Sequence, residues 1–508
     1  MAKKAIKKNT EVSTRRPPVI VVMGHIDHGK STLLDYIRQT KVVESEAGGI
    51  TQAVSAYEVE RTDSEGQKRR ITFIDTPGHE AFGDIRERSA GLADIAILIV
   101  SAEEGVKPQT LEALKAIQKQ DLPYVVAINK IDRPNTNPDT IKQELAEAEV
   151  LVEGYGGDIP WAAISAKTGA GVEELLDLLL LTAELAELKG DPKAPGTGVI
   201  LETNLDPKSG NSAVLIIKDG ILHVGDYLVA SGKTNKVRSL QNFLRERVKE
   251  LSFSSPALLI SLSNLPPVGA TFTAYGNRRE AEKAAEAEAA EDQVQGGNAT
   301  SNTEEADKIN IPIIIKADVA GSLGAVKHEL AKLETPEVGL KLLDASIGTI
   351  TETDIKLARA TEGALVLGFN VEAVKAATEL AETNKVVVHT FDIIYKLSEW
   401  LAEEIKRRTP LKQVENEIGR AKILKVFGGT KNKQVIGGNV LEGKLMVGKQ
   451  VKILRRDSEI DRGKIVELQE QKLKTKEVQE GNQFGALVET KATIAAGDQL
   501  VAFDLVTQ

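Results

Sequence analysis

A glycine-rich run near the start of the chain has residue types and a spacing that suit phosphate binding. It reads Gly24-His-Ile-Asp-His-Gly29-Lys30-Ser31 and stands between an apolar run, Val19–Val22, and a helical pattern, Thr32–Gln39. The glycines let backbone N–H groups turn toward phosphate oxygens, and the start of a helix adds partial positive charge. We expect Lys30 to bridge the β- and γ-phosphates and Ser31 to bind Mg²⁺. The run therefore predicts a nucleoside triphosphate site.

Three further motifs, each at the end of an apolar run, indicate which nucleotide is bound. The carboxylate of Asp75 can reach Mg²⁺ through a water, and the N–H of Gly78 can sense a γ-phosphate. In Asn129-Lys130-Ile-Asp132, the final carboxylate suits the paired N–H donors of a guanine edge. Ser165-Ala166-Lys167 offers backbone donors toward the guanine oxygen. Together these motifs predict a GTP site.

Two residues near these motifs are candidates for the hydrolysis step. Thr51, in Gly48-Gly49-Ile50-Thr51-Gln52, is the expected Mg²⁺-binding hydroxyl of a first switch segment. His79 is placed to orient the attacking water. Many GTPases have glutamine at this position, so we expect slow hydrolysis by the chain alone.

We expect no zinc at His25 and His28, since neither carboxylate nor thiol accompanies them in their loop.

Composition limits the class of protein that carries these motifs. The 508 residues include no cysteine and have a formal net charge of −9. The length predicts several domains, and the mild acidity excludes a generally polybasic nucleic-acid coater. Without cysteine there are no disulfides or thiolate sites, which fits a reducing cytosol. No apolar run is long enough to span a membrane, so we expect a cytoplasmic protein that binds no membrane.

Changes in pattern along the chain divide it into seven segments. Apolar β-branched runs alternate with helical patterns in two of them, which is typical of parallel sheets covered by helices. Two others contain short strands between Gly, Asn and Asp turns, which predicts β-barrels. The last segment has 16 Lys and Arg against 11 Asp and Glu, a net charge of +5. We predict a multidomain α/β and β protein with a disordered basic tail (1–17), a P-loop GTPase domain (18–190), a β-barrel (191–277), a helical and flexible linker (278–308), a second α/β domain (309–391), a linker helix (392–418) and a C-terminal β-barrel (419–508).

Specific strings extend this pattern to a family. GHIDHGKS, EAGGITQ, DTPGHEAF, NKID and SAK resemble those of translational GTPases, and EAGGITQ followed by DTPGHEAF resembles bacterial-type translation initiation factor 2 over residues 18–508. The resemblance implies a monomer that joins the small ribosomal subunit with formylmethionyl initiator tRNA and promotes joining of the large subunit. It also implies contacts with rRNA, no binding to DNA, and GTP hydrolysis when the assembled ribosome orders His79.

The resemblance also assigns residues to the nucleotide site. Mg²⁺ would be bound by Ser31, Thr51 and Asp75, and a monovalent cation, K⁺ or Na⁺, by Asp27. Ile26 and Ile50 would form an apolar gate that keeps His79 away from the phosphate until activation. The residues expected to contact GTP or GDP are Asp27, His28, Gly29, Lys30, Ser31, Thr32, Thr51, Asp75, Gly78, Asn129, Lys130, Asp132, Ser165, Ala166 and Lys167.

The C-terminal barrel departs from the family where the resemblance places a pocket for the formylmethionyl end of the tRNA. Gln469-Glu470-Gln471 replaces two basic residues and an aromatic one, Gln483-Phe484-Gly485 replaces Glu-Cys-Gly, and Gly438 replaces a common Cys. Losing two cations weakens attraction for tRNA phosphates, so the requirement for a formyl group stays open. The residues we predict to contact tRNA are Arg420, Lys422, Lys425, Gly438, Lys472, Gln483, Phe484 and Gly485.

Two alternatives to an initiation GTPase stay open at this point. The altered pocket would also suit a ribosome-associated GTPase that acts in assembly or delivers another tRNA. A module that binds GTP without hydrolysing it is the other alternative, although a water-orienting residue such as His79 has no purpose there. The basic C-terminal surface, in turn, could be merely solvated.

Overall fold

A computed structural model describes residues 14–39, 51–62, 66–206, 210–295, 309–335, 338–408, 413–430 and 432–507. The chain divides into two compact units, Met1–Ile405 and Lys406–Gln508. Within the described ranges, no helix combines the length and apolar character needed to cross a membrane.

The first unit begins with a six-stranded sheet that is buried on both faces. Its central strands are continuous runs of mainly Val, Ile and Leu, as expected for parallel strands covered by helices. Across the sheet the strands are Ser55–Thr62, Lys68–Asp75, Val19–Gly24, Ile95–Ser101, Tyr124–Asn129 and Trp161–Ala163, with an antiparallel first pair and parallel pairs thereafter. The helices are Lys30–Arg38, Gly83–Leu92, Pro108–Lys119, Pro138–Glu147 and Val172–Leu185, with a 3₁₀ turn at Glu80–Phe82. The parallel strands bring the predicted motifs to one edge of the sheet.

The chain is ordered earlier than the sequence predicts. Thr14–Arg15 pairs antiparallel with Lys189–Gly190, and the Arg16 guanidinium donates to both carboxylate oxygens of Asp94 at 2.6 and 2.7 Å. The prediction of a disordered tail over 1–17 is therefore wrong at its end, because partners distant in sequence order these residues. The residues before Thr14 lie outside the described ranges.

An antiparallel β domain follows, with an apolar core of its own. Its main sheet contains, in order, Lys233–Lys236, Tyr227–Ala230, Thr271–Tyr275, Thr197–Asp206, Gly210–Asp219, Pro256–Ile260, Ser239–Gln241 and Arg247–Val248. A second, two-stranded sheet pairs Ile221–His223 with Glu250–Ser252.

The predicted linker at 278–308 is helical in its first part. The helix Arg278–Gln295 packs Ala281 and Ala285 against Val229 of the β domain, so this part is docked rather than a free connector. The part of the linker that we predicted to be flexible, from residue 296, lies outside the described ranges.

The second α/β domain is a four-stranded parallel sheet with helices on both faces. Across the sheet the strands are Val338–Ile347, Ile309–Ala317, Leu365–Phe369 and Val387–Phe391. The helices are Ala320–Leu333, Glu352–Ala360, Lys375–Asn384 and Ile394–Arg408.

The last of these helices corrects the prediction of a linker helix over 392–418. Ile394, Leu397 and Leu401 are buried in the core of the second α/β domain, so the helix belongs to that domain. The helix ends at Arg408, and the first barrel strand begins at Gln413, six residues before the predicted start of the barrel.

The second unit is a closed antiparallel barrel. The strands follow one another in the order Gln413–Thr430, Gln499–Thr507, Gln450–Arg455, Ser458–Glu470, Gln483–Glu489 and Lys433–Met446. The last strand pairs with the first, which closes the ring around an apolar core. Glu477–Gln479 pairs with Lys433–Met446, and Leu473–Lys474 pairs with Ser458–Glu470.

Candidate functional site

The glycine-rich run forms a compact loop between a buried strand and a helix. Gly29 has φ 91° and Asp27 has φ 60°, both in the left-handed region, so the loop reverses tightly before the helix starts. The Lys30 ammonium donates to the backbone carbonyls of Gly24 at 3.0 Å and His25 at 2.6 Å. The loop thus places a cation beside the unpaired N–H groups of a helix start, which is a geometry that binds phosphate.

Lys30 is buried, and this burial controls its protonation. Loss of solvent lowers the pKa of Lys30 to about 8, although the nearby carboxylate of Asp75 favours the charged form. Phosphate oxygens would add negative charge beside the ammonium and stabilise it further.

The candidate Mg²⁺ ligands meet next to Lys30. The Ser31 and Thr51 hydroxyls are 2.6 Å apart, although the two residues belong to different segments. Asp75 ends a strand that runs parallel to Val19–Gly24 and is paired there with Val22. Two hydroxyls and a carboxylate are hard oxygen ligands, which fit Mg²⁺ and disfavour a soft metal.

His79 follows Asp75 in the same segment of the chain, and its side chain is buried. Its Nδ1 accepts a hydrogen bond from the Ala81 N–H at 2.9 Å, and its Nε2 is buried without a partner among the described residues. Its ring centroid is 4.3 Å from that of Tyr395. Burial lowers the pKa of His79, so the imidazole is neutral near pH 7.

The predicted base-binding motifs are joined by hydrogen bonds. The Asn129 amide donates to the His28 carbonyl at 2.8 Å and accepts from the Ala166 N–H at 2.9 Å, so it connects the two loops to each other. The Ser165 hydroxyl donates to the exposed Asp132 carboxylate at 2.7 Å, and this bond lowers the pKa of Asp132. The carboxylate is therefore ionised and oriented, as recognition of paired N–H donors requires.

The structure places the remaining predicted residues around this centre. Asp27, Thr32 and Lys167 are exposed, and the Lys130 ammonium binds the Glu104 carboxylate at 2.9 Å. A Cβ atom at Gly78 would lie 2.5 Å from the Lys30 ammonium and 3.2 Å from Ile26, so this position has little room for a side chain. Ile50, the second predicted gate residue, lies outside the described ranges.

Three residues at the site were missed from the sequence. The Gln109 side chain accepts from the Ile26 N–H at 3.1 Å, while Gln52 and Tyr395 connect the site to the second α/β domain. Gln109 and Tyr395 lie outside the motifs quoted from the sequence, and Gln52, next to Thr51, stands in one of them without a role assigned to it.

The expectation that the two loop histidines lack a carboxylate neighbour is wrong. The ligand atoms of His25, His28 and Glu104 lie within 4.8 Å of one another, because the fold brings Glu104 to the loop. Glu104 is paired with Lys130, and burial lowers the pKa of His28 to about 4. The carboxylate is therefore already neutralised by a cation.

The second unit contains a pocket of about 520 Å³ that gathers most of the predicted tRNA-contacting residues. Six of the eight line it: Lys425, Gly438, Lys472, Gln483, Phe484 and Gly485. Arg420 and Lys422 do not, and Arg420 is paired with Glu417 at 3.3 Å. At Gly438 a side chain would collide with the Lys422 carbonyl and approach the Phe484 ring to 3.0 Å.

The apolar part of this pocket was not predicted from the sequence. Leu424 and Phe427 also line it and are 55% and 65% exposed, although both are large apolar residues on a strand. Gln469 and Gln471 add amide groups. A single sequence cannot tell an exposed apolar residue that binds a ligand from one that closes a core.

Family models match three parts of the chain. Residues 15–184 match the Elongation factor Tu GTP binding domain, 195–275 match Elongation factor G domain 2, and 285–402 match Translation-initiation factor 2. A GDP-bound aIF5B from Aeropyrum pernix is 28% identical in sequence with a TM-score of 0.46, over 96% of this chain and 92% of that one.

Two curated relatives, both named Translation initiation factor IF-2, match nearly the whole chain. The one from Fusobacterium nucleatum is 40% identical over 97% of this chain and 67% of its own length. The one from Rubrobacter xylanophilus is 40% identical over 97% of this chain and 72% of its own length. These findings confirm the predicted fold class, guanine-nucleotide binding and GTPase activity, and the chain belongs to the translation initiation factor IF-2 family, as a translation initiation GTPase.

Proposed function

We propose that this GTPase holds charged initiator tRNA on the small ribosomal subunit, promotes joining of the large subunit, and hydrolyses GTP on the assembled ribosome. The observation that carries the proposal is the meeting of Ser31 and Thr51 beside Lys30 and Asp75, with His79 next along the chain. A γ-phosphate at this point would contact both switch segments, residues 44–52 and residues 75–89, and its loss would release them.

In this proposal each group at the nucleotide site has one task. Ser31, Thr51 and Asp75 would hold Mg²⁺, which would neutralise charge on the phosphates, and Asp27 would hold K⁺ or Na⁺. Asp132 accepts from the guanine N–H donors, while the Ser165–Lys167 loop donates to the guanine oxygen. His79 orients the attacking water, and Ile26, with Ile50, restricts its approach.

The barrel pocket is the proposed site for the aminoacylated end of the tRNA. Its volume is within the usual range of small-ligand pockets, and Leu424 and Phe427 offer an apolar surface for a methionyl side chain. Lys425 and Lys472 supply positive charge for the phosphates of the acceptor end. With no room for a side chain at Gly438, the Phe484 ring occupies this part of the pocket.

A second candidate function is the delivery of a different tRNA to the ribosome. It is favoured by the neutral amides of Gln469 and Gln471 in the pocket wall, where the family has a basic and an aromatic residue. Amides can accept as well as donate hydrogen bonds, so they would tolerate esters other than formylmethionine.

GTP turnover with and without ribosomes tests the proposed hydrolysis step. We expect His79→Ala to leave GTP affinity nearly unchanged and to reduce ribosome-stimulated hydrolysis by about 100-fold or more, because only transition-state positioning is lost. The matched control is His223→Ala, which removes an exposed histidine of the β domain. An unchanged stimulated rate in His79→Ala would refute the role of His79.

A further inference from the structure

Both switch segments contact one short piece of the second α/β domain, the start of the helix Ile394–Arg408. The Gln52 amide, beside Thr51, donates to the Asp392 carbonyl at 2.8 Å and accepts from the Ile394 N–H at 3.2 Å. Gln52 is buried, and both ends of its amide are used. The first switch is thereby bonded to the helix start at two points.

The second switch meets the same helix through two rings. The Tyr395 ring lies 4.3 Å from the His79 ring, centroid to centroid, with a tilt of 51°. Phe82 packs edge-on to the same imidazole at 6.1 Å. Tyr395 itself is 45% exposed, so it covers His79 from the outside of the protein.

The hydrogen bonding of the imidazole limits what the ring can do in this position. Nδ1 accepts the Ala81 N–H, so a neutral ring must carry its proton on Nε2. The one nitrogen that could accept a hydrogen bond from water is therefore already occupied. Nε2 is buried without a partner in the described part of the chain.

We infer that Tyr395 is a positioning residue that holds the His79 ring at rest and must withdraw before His79 can act on water. The inference rests on the proposed catalytic role of His79. Gln52 bonds the same helix start to the first switch, next to the Thr51 hydroxyl that already meets Ser31. The second α/β domain would thus restrain hydrolysis until the second switch has moved.

Removal of the ring tests the restraint. We expect Tyr395→Ala to raise the rate of ribosome-free GTP hydrolysis by about 3- to 10-fold. This range is the interaction energy of one aromatic pair converted into a ratio of rates. Ribosome-stimulated hydrolysis stays near the wild-type rate, because His79 is intact. Tyr395→Phe keeps the ring and behaves like wild type, and Tyr395→Leu serves as a second variant that keeps apolar volume without the flat ring.

A double variant separates restraint from a structural effect. In a His79→Ala background, Tyr395→Ala has no further effect on the ribosome-free rate, since there is no ring to release. Glu399→Gln, an exposed position on the same helix, is the matched control. An unchanged or lower ribosome-free rate in Tyr395→Ala, or an equal increase in the His79→Ala background, would overturn the inference. If His79→Ala alone keeps full stimulated hydrolysis, the proposed catalytic role fails instead.

Discussion

Single residues at the nucleotide site satisfy one another's polar groups before any ligand is considered. The Lys30 ammonium binds two carbonyls of its own loop, and the Asn129 amide bridges that loop to Ala166. Such contacts hold the site in shape, so a nucleotide meets donors that need little reorganisation. Asp132 differs, because its carboxylate accepts from the Ser165 hydroxyl but is exposed, so it can still accept from a base.

The proposed role of Asp132 in selecting guanine can be tested by substitution. We expect Asp132→Asn to weaken GTP binding by about 10- to 100-fold, the usual worth of hydrogen bonds to a charged group. An amide can donate as well as accept, so the variant should prefer xanthosine triphosphate, which offers an oxygen where guanine has an amino group. Competition of the two nucleotides for the site measures this preference. Asp158→Asn, an exposed loop carboxylate, is the control, and unaltered GTP selectivity would refute the assignment.

Between elements, a buried ion cluster joins parts of the first unit that are far apart in sequence. The Asp94 carboxylate accepts from Arg16, from the Val19 N–H at 2.9 Å and from Lys218 at 2.9 Å. Lys218 belongs to the strand Gly210–Asp219 of the β domain. Burial favours the neutral acid, yet the Arg16 hydrogen bonds and the Lys218 charge outweigh it and lower the pKa of Asp94.

This cluster predicts a pH-dependent loss of stability. Asp94→Asn leaves two cations with little solvent and no countercharge, which costs on the order of 3 kcal/mol of unfolding free energy at pH 7. Because the folded pKa of Asp94 is depressed, its contribution is present above the unfolded pKa, about 4, and is lost as pH falls through the folded value. Urea unfolding at several pH values measures the difference.

The difference in unfolding free energy between wild type and Asp94→Asn should therefore disappear at acidic pH. Asp139→Asn, whose carboxylate is 73% exposed beside Lys142, is the matched control and should change stability by less than about 1 kcal/mol. A gap that is small at pH 7, or that widens as pH falls, would contradict the role given to the cluster.

A strand or helix can be predicted from the sequence when neighbouring residues determine it, and cannot when its order or packing depends on residues far along the chain. The strands Val19–Gly24 and Ile95–Ser101 were predictable because unbroken apolar runs suit a sheet buried on both faces. The strand Thr14–Arg15 was not, since its order depends on Lys189–Gly190. The docking of Ile394–Arg408 was also missed, because an amphipathic pattern does not say which core it faces.

The same limit applies to the sites. The meeting of Lys30, Ser31 and Asp75 at one edge of the sheet was predictable, because their segments follow neighbouring parallel strands. Their roles toward GTP and Mg²⁺ stay predictions. Tyr395 could not be predicted, since it reaches His79 only through the packing of a separate domain.

For the molecule as a whole, charge is divided unequally along the chain. The net charge is −9, yet residues 419–508 carry +5, and this basic barrel contains the pocket with Leu424 and Phe427. Positive charge attracts any RNA, and this attraction weakens as the salt concentration rises. Binding in an apolar pocket is not screened by salt. The two contributions can therefore be separated by ionic strength.

In the proposed function, the barrel pocket selects charged initiator tRNA. The direct test is binding of the full chain to initiator tRNA carrying formylmethionine, carrying methionine, or uncharged, each at low and high salt. Phe427→Ala removes the apolar wall, and Ile460→Ala, an apolar residue of similar size elsewhere on the barrel, is the control. We expect the formylated form to bind at least about 10-fold more tightly than the uncharged form, with a ratio that survives high salt and falls in Phe427→Ala. Equal binding of all three forms, lost together at high salt, would contradict the claim.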